Sequence, residues 1–292
     1  MEPRKPCLFW FRWARTAMAV VFTLIALCSV IAWRDTMADP QVLRAEVTLA
    51  GLPADQPPLR LLLLSDLHVA GPDMPPERLA RIVAQANALG PDIVLLAGDF
   101  ISDRQLATRH IGYREALAPL KAIKAAFGAV AVLGNHDHWR NADLARAELA
   151  RNGVAVLRNS ALRRGPLTIG GLDDDYTGHA NVPLTITAMR ALGGAPVLLS
   201  HSPDPFPDTP GDMPLMLAGH THCGQIRYPW GGSPATMSRY GERYACGRIV
   251  ENRRTLIVSA GLGTSVLPFR FGTRPDMWLI TLRPKPIAPL RP

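Results

Sequence analysis

Five short apolar segments of this 292-residue chain each lead directly into residues whose side chains can bind a divalent cation. With those residues, the segments read "LRLLLLSDLH", "DIVLLAGDF", "AVAVLGNHDH", "APVLLSHSPD" and "PLMLAGHTH". Imidazole suits zinc, iron or nickel, whereas carboxylate and carbonyl oxygens suit manganese and harder ions, so a mixed set is typical of a dinuclear site. We therefore expect two divalent ions of manganese, iron or zinc. The candidate ligands are Asp66, His68, Asp99, Asn135, His136, His201, His220 and His222.

No single element of this series carries the prediction. A "GD" or "DLH" at the end of a strand is more often part of a turn, and an isolated histidine in an apolar segment is usually a core residue with a hydrogen-bond partner. The "GNHD" run is more specific, because three polar groups directly after an apolar run are costly to bury without a purpose. The prediction rests on all five elements together, each following an apolar run.

The apolar segments predict the strands of an α/β fold. Continuous apolar runs suit strands that are covered on both faces. Apolar residues at helical spacing follow the first three runs, over residues 77–90, 114–128 and about 141–151, with Asn141 as an N-cap. The second half is richer in strands, with a hairpin over "GRIVENRRTLIVSAG" and a closing strand over "MWLITL". Because ligands of open α/β sheets bind beyond the carboxyl ends of the strands, we expect the candidate ligands at one sheet edge.

The N-terminal segment predicts a membrane helix. Residues 16–33 carry no charge, and a helix needs about 20 apolar residues to cross the hydrocarbon core. Basic residues cluster before this run and few follow it closely, so the positive-inside rule places the N-terminus in the cytoplasm and the rest of the chain on the opposite side. We expect an uncleaved anchor over residues 1–36, with a cleaved signal peptide as the alternative.

Composition divides the remainder of the chain. Residues 37–58 are predicted to be a linker because they include the proline-rich "GLPADQPPLR", residues 59–283 to form one domain, and residues 284–292 to form a proline-rich tail. The net charge of +8 is concentrated at the two ends, and the sequence has no DNA-binding motif or aromatic and basic groove pattern. We therefore expect no nucleic-acid partner.

The order D-x-H, G-D, G-N-H-D, H and G-H-T-H resembles that of the calcineurin-like metallophosphoesterase superfamily, over about Leu59 to Leu282. More narrowly, "GHTHCGQI" followed by "SAGLGTSVLPFRFGTRPDMWLITL" is similar to the membrane-associated bacterial branch, which includes cell-wall-associated phosphoesterases and UDP-diacylglucosamine diphosphatases. The resemblance implies a four-layer αββα sandwich preceded by the transmembrane helix. It also implies hydrolysis of phosphomonoester or phosphodiester bonds by a hydroxide that bridges two metal ions.

The resemblance also assigns roles to the candidate residues. Asp66, His68 and His222 would bind the first metal, and Asp99 would bridge the two ions. The second metal would be bound by Asn135, His201 and His220. His136 would be catalytic, either protonating the leaving oxygen or stabilising charge on the phosphoryl group. A catalytic histidine needs a partner that fixes its tautomer, and both Asp103 and Asp137 are candidates.

Three further features have both a functional and an ordinary structural interpretation. The "GLDDDYTGHA" loop, with Asp174, is expected to overhang the site and either contacts substrate or is a solvated acidic loop. Arg270 either pairs with phosphate or faces water, and Cys223 and Cys246 form a disulfide or remain free thiols. His110 and His138 have no motif support and are expected at the surface.

The substrate and its location follow from the anchor and the resemblance. An anchored enzyme with the exposed-looking "VLPFRF" segment suggests a lipid-linked or envelope phosphoester, in a bacterial inner membrane with the catalytic domain in the periplasm. A UDP-diacylglucosamine diphosphatase of lipid A synthesis is an alternative, but its substrate is cytoplasmic, which conflicts with the predicted topology. A non-catalytic metal-binding membrane module is the other alternative.

Overall fold

The structure of the protein is a computed structural model that describes residues 7–103 and 106–285. Its first helix, α1 (Cys7–Met37), is the one helix of the described chain that is long and apolar enough to cross a membrane. The side chains from Trp10 to Val30 are all exposed, as expected for a helix that packs against lipid. The predicted anchor and this helix agree, although the first six residues of the anchor lie outside the described residues.

Two six-stranded sheets form the body of the described chain. The strands of the first sheet, in spatial order, are β1 (Gln41–Leu49), β12 (Asp276–Pro284), β2 (Leu59–Leu64), β3 (Ile93–Ala97), β4 (Ala129–Val132) and β5 (Val154–Val156). Those of the second sheet are β10 (Gly247–Glu251), β11 (Arg254–Val258), β9 (Leu215–Ala218), β8 (Ala195–Leu199), β7 (Leu167–Gly171) and β6 (Ser160–Arg164). Neighbouring strands are parallel except for the pairs β12–β2, β10–β11 and β6–β7.

Helices cover the outer face of each sheet, so the body has four layers. The remaining helices are α2 (Pro76–Ala88), α3 (Tyr113–Leu117), α4 (Asn135–Arg140), α5 (Ala142–Arg151) and α6 (Val182–Leu192). Helices α2, α3 and α5 pack on the first sheet, and α6 packs on the second. The predicted four-layer αββα sandwich is therefore confirmed.

The continuous apolar runs are explained by this layering. Successive strand side chains point to opposite faces. In β2, Leu61 and Leu63 lie in the core between the two sheets, whereas Leu62 and Leu64 pack against the helices of the first sheet. Neither face of the strand meets water, so every position except Arg60 is buried. The same two-sided burial makes β3 and β4 apolar throughout.

Two boundaries differ from the predictions. The predicted linker over residues 37–58 is wrong, because residues 41–49 form β1, which pairs in parallel with β12 along its whole length. The helix predicted over residues 114–128 is shorter: α3 passes into a 3₁₀ turn over Ala118–Ala122 and the helix then ends. Pro119 lies in that turn and has no N–H to continue the α-helical ladder. The predicted tail lies outside the described residues from position 286 onward.

Candidate metal centre

The carboxyl ends of five strands meet at one end of the sandwich, and each carries predicted site residues. Strands β2, β3 and β4 of the first sheet lead into Asp66, Asp99 and Asn135, and strands β8 and β9 of the second lead into His201 and His220. The expected convergence is thus formed by two facing sheets rather than by one edge. Backbone hydrogen bonds join the strand-end loops: the Asp66 N–H donates to the Gly98 carbonyl at 3.0 Å, and the His220 N–H donates to the Asp66 carboxylate at 3.1 Å.

The first ligand cluster consists of Asp66, His68 and His222, all buried. The Nε2 atoms of His68 and His222 lie 3.2 Å apart, and Asp66 Oδ1 lies 3.5 Å from His222 Nε2. Burial, and the nearby imidazole of His68, hold the pKa of His222 well below its usual range. This imidazole is therefore neutral and can direct a nitrogen lone pair at a cation.

In the second cluster, His201 Nε2 faces Asn135 Oδ1 and His220 Nδ1. His201 Nδ1 donates to the Ala97 carbonyl at 2.7 Å and His220 Nε2 donates to the Met237 carbonyl at 3.0 Å, so the other nitrogen of each neutral ring carries a lone pair. Those two nitrogens are 3.1 Å apart, and Asn135 Oδ1 lies 3.0 Å from His201 Nε2. A proton on His201 would satisfy one of these acceptors, whereas a metal cation would satisfy all three. The donor set therefore fits a divalent ion.

Asp99 lies between the two clusters. Its Oδ2 is 3.4 Å from His68 Nε2 in the first cluster and 3.2 Å from His201 Nε2 in the second, and its Oδ1 accepts the His136 N–H at 2.9 Å. Although burial opposes ionisation, the His201 and His136 imidazoles hold the pKa of Asp99 well below its usual range. The carboxylate is therefore charged and positioned to be shared by two cations.

Burial and neighbouring charges shift the pKa values of His201 and His220 in opposite directions. Burial and the neighbouring His201 lower the pKa of His220 to about 3, so that ring is neutral. At His201, burial also opposes protonation, but the carboxylates of Asp99 and Asp66 outweigh it and raise the pKa well above the usual value. The field that favours a proton on His201 equally favours a metal cation at this point.

His136 faces the clusters with one ring nitrogen and is fixed through the other. Its Nδ1 lies 2.5 Å from Asp103 Oδ1, and its Nε2 lies 3.9 Å from Asp99 Oδ2. Burial opposes protonation of His136, but Asp99 and Asp103 outweigh it and raise the pKa of the ring. Of the two predicted partners, Asp103 therefore contacts the ring. Asp137 instead accepts the N–H groups of Asp99 and Phe100 at 2.9 and 3.0 Å, and it fixes the backbone of the site.

The backbone of the site is strained and closely packed. Five of the candidate ligands have φ between +42° and +69°, a region that costs a residue with a side chain of order 1–3 kcal/mol. These ligands are Asp66, His68, Asp99, His220 and His222. Glycine allows the loops to approach each other: a Cβ at Gly134 would lie 2.3 Å from Asp99 Oδ1, and one at Gly219 would lie 2.3 Å from Asp66 Oδ2.

Two aromatic side chains that the sequence analysis missed border the site. The Trp139 ring lies 4.9 Å from the His136 ring, and the Tyr176 ring lies 4.7 Å from that of His220. The exposed fractions of Trp139 and Tyr176 are 54% and 45%, so both are open to a substrate. Trp139 directly follows "GNHDH" and Tyr176 lies inside "GLDDDYTGHA". Their closeness in sequence to predicted site residues could have indicated that both border the site.

The "GLDDDYTGHA" loop does overhang the site, but its acidic residues do not form the contact surface. The proposed substrate contact from Asp174 is wrong: its side chain is fully buried, and its Oδ2 accepts hydrogen bonds from the Thr177 N–H and hydroxyl. Asp173 accepts from Arg158 and contacts His138 Nε2 at 2.8 Å. His138 was expected to be exposed, but this contact holds it against the loop with only 8% of its side chain exposed. His110 is exposed, as expected.

Arg270 is also not a substrate ligand. It is fully buried, and its guanidinium donates to the backbone carbonyls of Ala260, Gly261 and Gly263, which belong to a loop packed on Asp66 and Leu67. Arg270 therefore holds the backbone segment that packs against Asp66 of the first ligand cluster. Cys223 and Cys246 are joined by a disulfide.

Comparisons with known proteins agree with this geometry. Residues 59–224 match the profile of the calcineurin-like phosphoesterase family. Among the relatives is a transmembrane protein with metallophosphoesterase domain from Danio rerio, 29% identical over 294 residues that cover 92% of this chain and 63% of the relative. Another is the metallophosphoesterase YkoQ of Bacillus subtilis (strain 168), 31% identical over 78% of this chain and 84% of the relative. The phosphodiesterase YaeI of Escherichia coli (strain K12) is 28% identical over 77% and 82%.

The fold and the two joined clusters define a metallophosphoesterase. The chain belongs to the calcineurin-like phosphoesterase family. It spans less than two thirds of the length of the Danio rerio protein.

Replacing Gly134 with alanine tests the closeness of the packing around Asp99. The new Cβ would overlap Asp99 Oδ1, so we expect Gly134→Ala to weaken metal binding about 10- to 100-fold while the protein still folds. Metal bound per chain after dialysis, together with circular dichroism, measures this. Gly112→Ala is the matched control, because no atom of the described residues beyond its two chain neighbours lies within 4 Å of its Cβ position. Equal metal content in the two variants would contradict the prediction.

Replacing Asp103 with asparagine tests how His136 is oriented. We expect Asp103→Asn to lower kcat about 10- to 100-fold with little change in bound metal, because Asp103 contacts the ring and belongs to neither ligand cluster. Steady-state hydrolysis of a soluble aryl phosphodiester and metal analysis give the two readouts. Asp143→Asn, at a carboxylate whose side chain is 80% exposed, is the control and should behave as the unaltered protein. An unchanged kcat in Asp103→Asn would refute the assignment.

Proposed function

We propose that this protein binds two divalent cations and hydrolyses a phosphodiester bond of a lipid-linked or envelope substrate at the bilayer surface. The observation that carries the proposal is the position of Asp99, whose one free oxygen faces ligand clusters on both sides. A shared carboxylate offsets the repulsion between two cations about 3.5–4 Å apart.

The ligand assignments follow the two clusters. Asp66, His68 and His222 would hold one ion, with Asp99 shared between the two. Asn135, His201 and His220 would hold the other. Bound there, manganese, iron or zinc would supply an activated water and neutralise charge on the phosphoryl oxygens. The side chains of the site would hold the phosphoryl group in one orientation beside His136.

His136 is the proposed catalytic residue. Its Nδ1 is occupied by Asp103, so Nε2 is the nitrogen that faces the clusters and can carry or give a proton. The two acidic neighbours raise the pKa of the ring, which favours the protonated form. A protonated Nε2 would donate its proton to the leaving oxygen as the bond to phosphorus breaks. Trp139 and Tyr176, whose rings lie 6.1 Å apart, would pack together against the body of the substrate.

A lipid-linked substrate is favoured by the anchor. Helix α1 has the length and composition of a membrane span, and a relative is named a transmembrane protein with metallophosphoesterase domain. The diester class is favoured by the name of another relative, phosphodiesterase YaeI. The basic residues before the apolar run favour an orientation with the catalytic domain in the periplasm, in a bacterial inner membrane.

The test uses the full chain in lipid vesicles, stripped of metal and then resupplied with manganese, iron or zinc. The substrates are a soluble aryl monoester, a soluble aryl diester and a phospholipid with a chromophoric headgroup joined by a diester. We expect metal-dependent turnover, highest with the phospholipid. Asp99→Asn should lose both bound metal and turnover, whereas His136→Ala should retain metal and lose turnover about 10²- to 10⁴-fold.

The outcomes separate the parts of the proposal. Turnover that survives in His136→Ala would overturn the catalytic assignment. Faster turnover of the soluble esters would remove the lipid substrate and leave the phosphoesterase. Stoichiometric metal binding without turnover of any ester would favour the non-catalytic membrane module. The exposed carboxylate variant Asp143→Asn again serves as the control for both metal content and rate.

A further inference from the structure

The end of the membrane helix is fixed to the catalytic domain by buried polar contacts. Thr36 Oγ1 accepts the Arg270 N–H at 2.7 Å, and the Thr36 carbonyl accepts from the Arg78 guanidinium at 2.9 Å. Asp35 is buried beside Thr36, and its Oδ2 accepts the Gly272 N–H at 3.3 Å. The junction is therefore not a flexible tether, and the direction of α1 fixes how the domain faces the bilayer.

A loop over residues 265–271 lies along this helix. Phe269 and Phe271 line an apolar cavity of about 380 Å³ whose other wall is formed by α1 residues Leu24, Ile25, Cys28, Ser29 and Ala32. The loop also exposes apolar side chains: the exposed fractions are 71% for Val266 and 39% each for Leu267 and Phe269. Apolar side chains in this arrangement are unfavourable in water and favourable in lipid.

The depth of the loop can be estimated along α1. Cys28, which lines the same cavity as Phe269, precedes Arg34 by six residues, or about 9 Å of helix at 1.5 Å per residue. The uncharged run ends at Trp33, which marks the edge of the hydrocarbon core. Phe269, at the level of Cys28, therefore lies inside the hydrocarbon. This depth agrees with the ~5–10 Å to which interfacial apolar groups penetrate.

Basic side chains lie where the headgroups would be. A second cavity at the junction, of about 520 Å³, is lined by Arg34, Arg227 and Arg274 as well as by the carboxylates of Asp35 and Asp276. Arg34 follows the apolar run directly, and Arg274 lies 3.7 Å from Asp35 at the base of α1. Arginines just outside the hydrocarbon attract anionic lipid headgroups.

We propose that the 265–271 loop is a membrane-inserting surface that docks the domain onto the leaflet in which α1 ends, with anionic headgroups against the three arginines. Continuity with α1 identifies the bilayer as the occupant, because the loop shares a cavity wall with residues of the span itself. Docking of this loop on the bilayer is proposed independently of any catalytic activity. Its consequence for substrate delivery rests on the proposed function: Ser265, at the start of the loop, lies 3.3 Å from His136 Nε2, so the site opens beside the lipid surface.

Photocrosslinking of the full chain tests the surface without an activity readout. A benzoylphenylalanine residue would replace Leu267 in protein reconstituted into vesicles of phosphatidylethanolamine and phosphatidylglycerol. Irradiation should add the mass of one phospholipid to the intact protein. Leu27, exposed within α1, is the positive control, and Leu184, 53% exposed on α6, is the negative control. We expect a yield at position 267 at least about tenfold above that at position 184 and comparable with that at position 27.

The outcomes decide the proposal. Lipid capture at position 27 but not at position 267 would overturn it, as would equal capture at positions 184 and 267. If the Leu267 variant does not fold, the same measurement at Val266, which is 71% exposed, replaces it. A loss of capture when vesicles lack phosphatidylglycerol would support the arginine contacts. Because crosslinking needs no turnover, a failed substrate assay leaves this result intact.

Discussion

The site depends on one buried carboxylate that is held by backbone contacts and shared by two ligand clusters. Asp99 Oδ1 accepts the His136 N–H, and the Asp99 N–H is itself held by Asp137. These contacts fix Oδ2 between His68 and His201. A buried charge without a partner is unfavourable, so the arrangement is stable only because cationic groups or cations face it. Strands β3 and β4 are neighbours, and this adjacency brings Asp99 and His136 together.

The apolar body of the fold offsets the cost of the strained ligand backbone. Five candidate ligands in the left-handed region and several buried polar groups would destabilise a small, open sheet. Here both faces of β2, β3 and β4 are buried, with one core between the sheets and another beneath the helices. The strands therefore end at fixed positions, and the loops after them have few conformations that avoid steric overlap. Gly134 and Gly219 permit the close approach that those conformations require.

The parts of the site that could be predicted from the sequence are those encoded locally. The candidate ligands follow five apolar strands, and three of these strands, β2, β4 and β9, are each followed by two candidates. The pattern therefore predicted that all of them meet at one end of the sandwich. The partner of His136 could not be chosen, because Asp137 is its neighbour in sequence and Asp103 its neighbour in space. The charge of Arg270 suggested a position facing phosphate or water. Its guanidinium instead donates to backbone carbonyls in the interior, and nothing in the sequence indicates this contact. Strand β1 was missed because nearby prolines dominated the composition of a segment whose alternation is incomplete.

The proposed metal binding and the proposed membrane contact would act on His136 from different directions. The ligand clusters are held by strand ends, and Asp103 holds Nδ1 of the ring. Ser265, whose hydroxyl is 3.3 Å from Nε2, belongs to the 265–271 loop. Gln225 connects that serine to the outer part of the loop, accepting the Ser265 N–H at 2.8 Å and donating to the Leu267 carbonyl at 3.0 Å. A shift of the outer part of the loop, at Val266 and Leu267, would therefore change the contact between Ser265 and His136 Nε2.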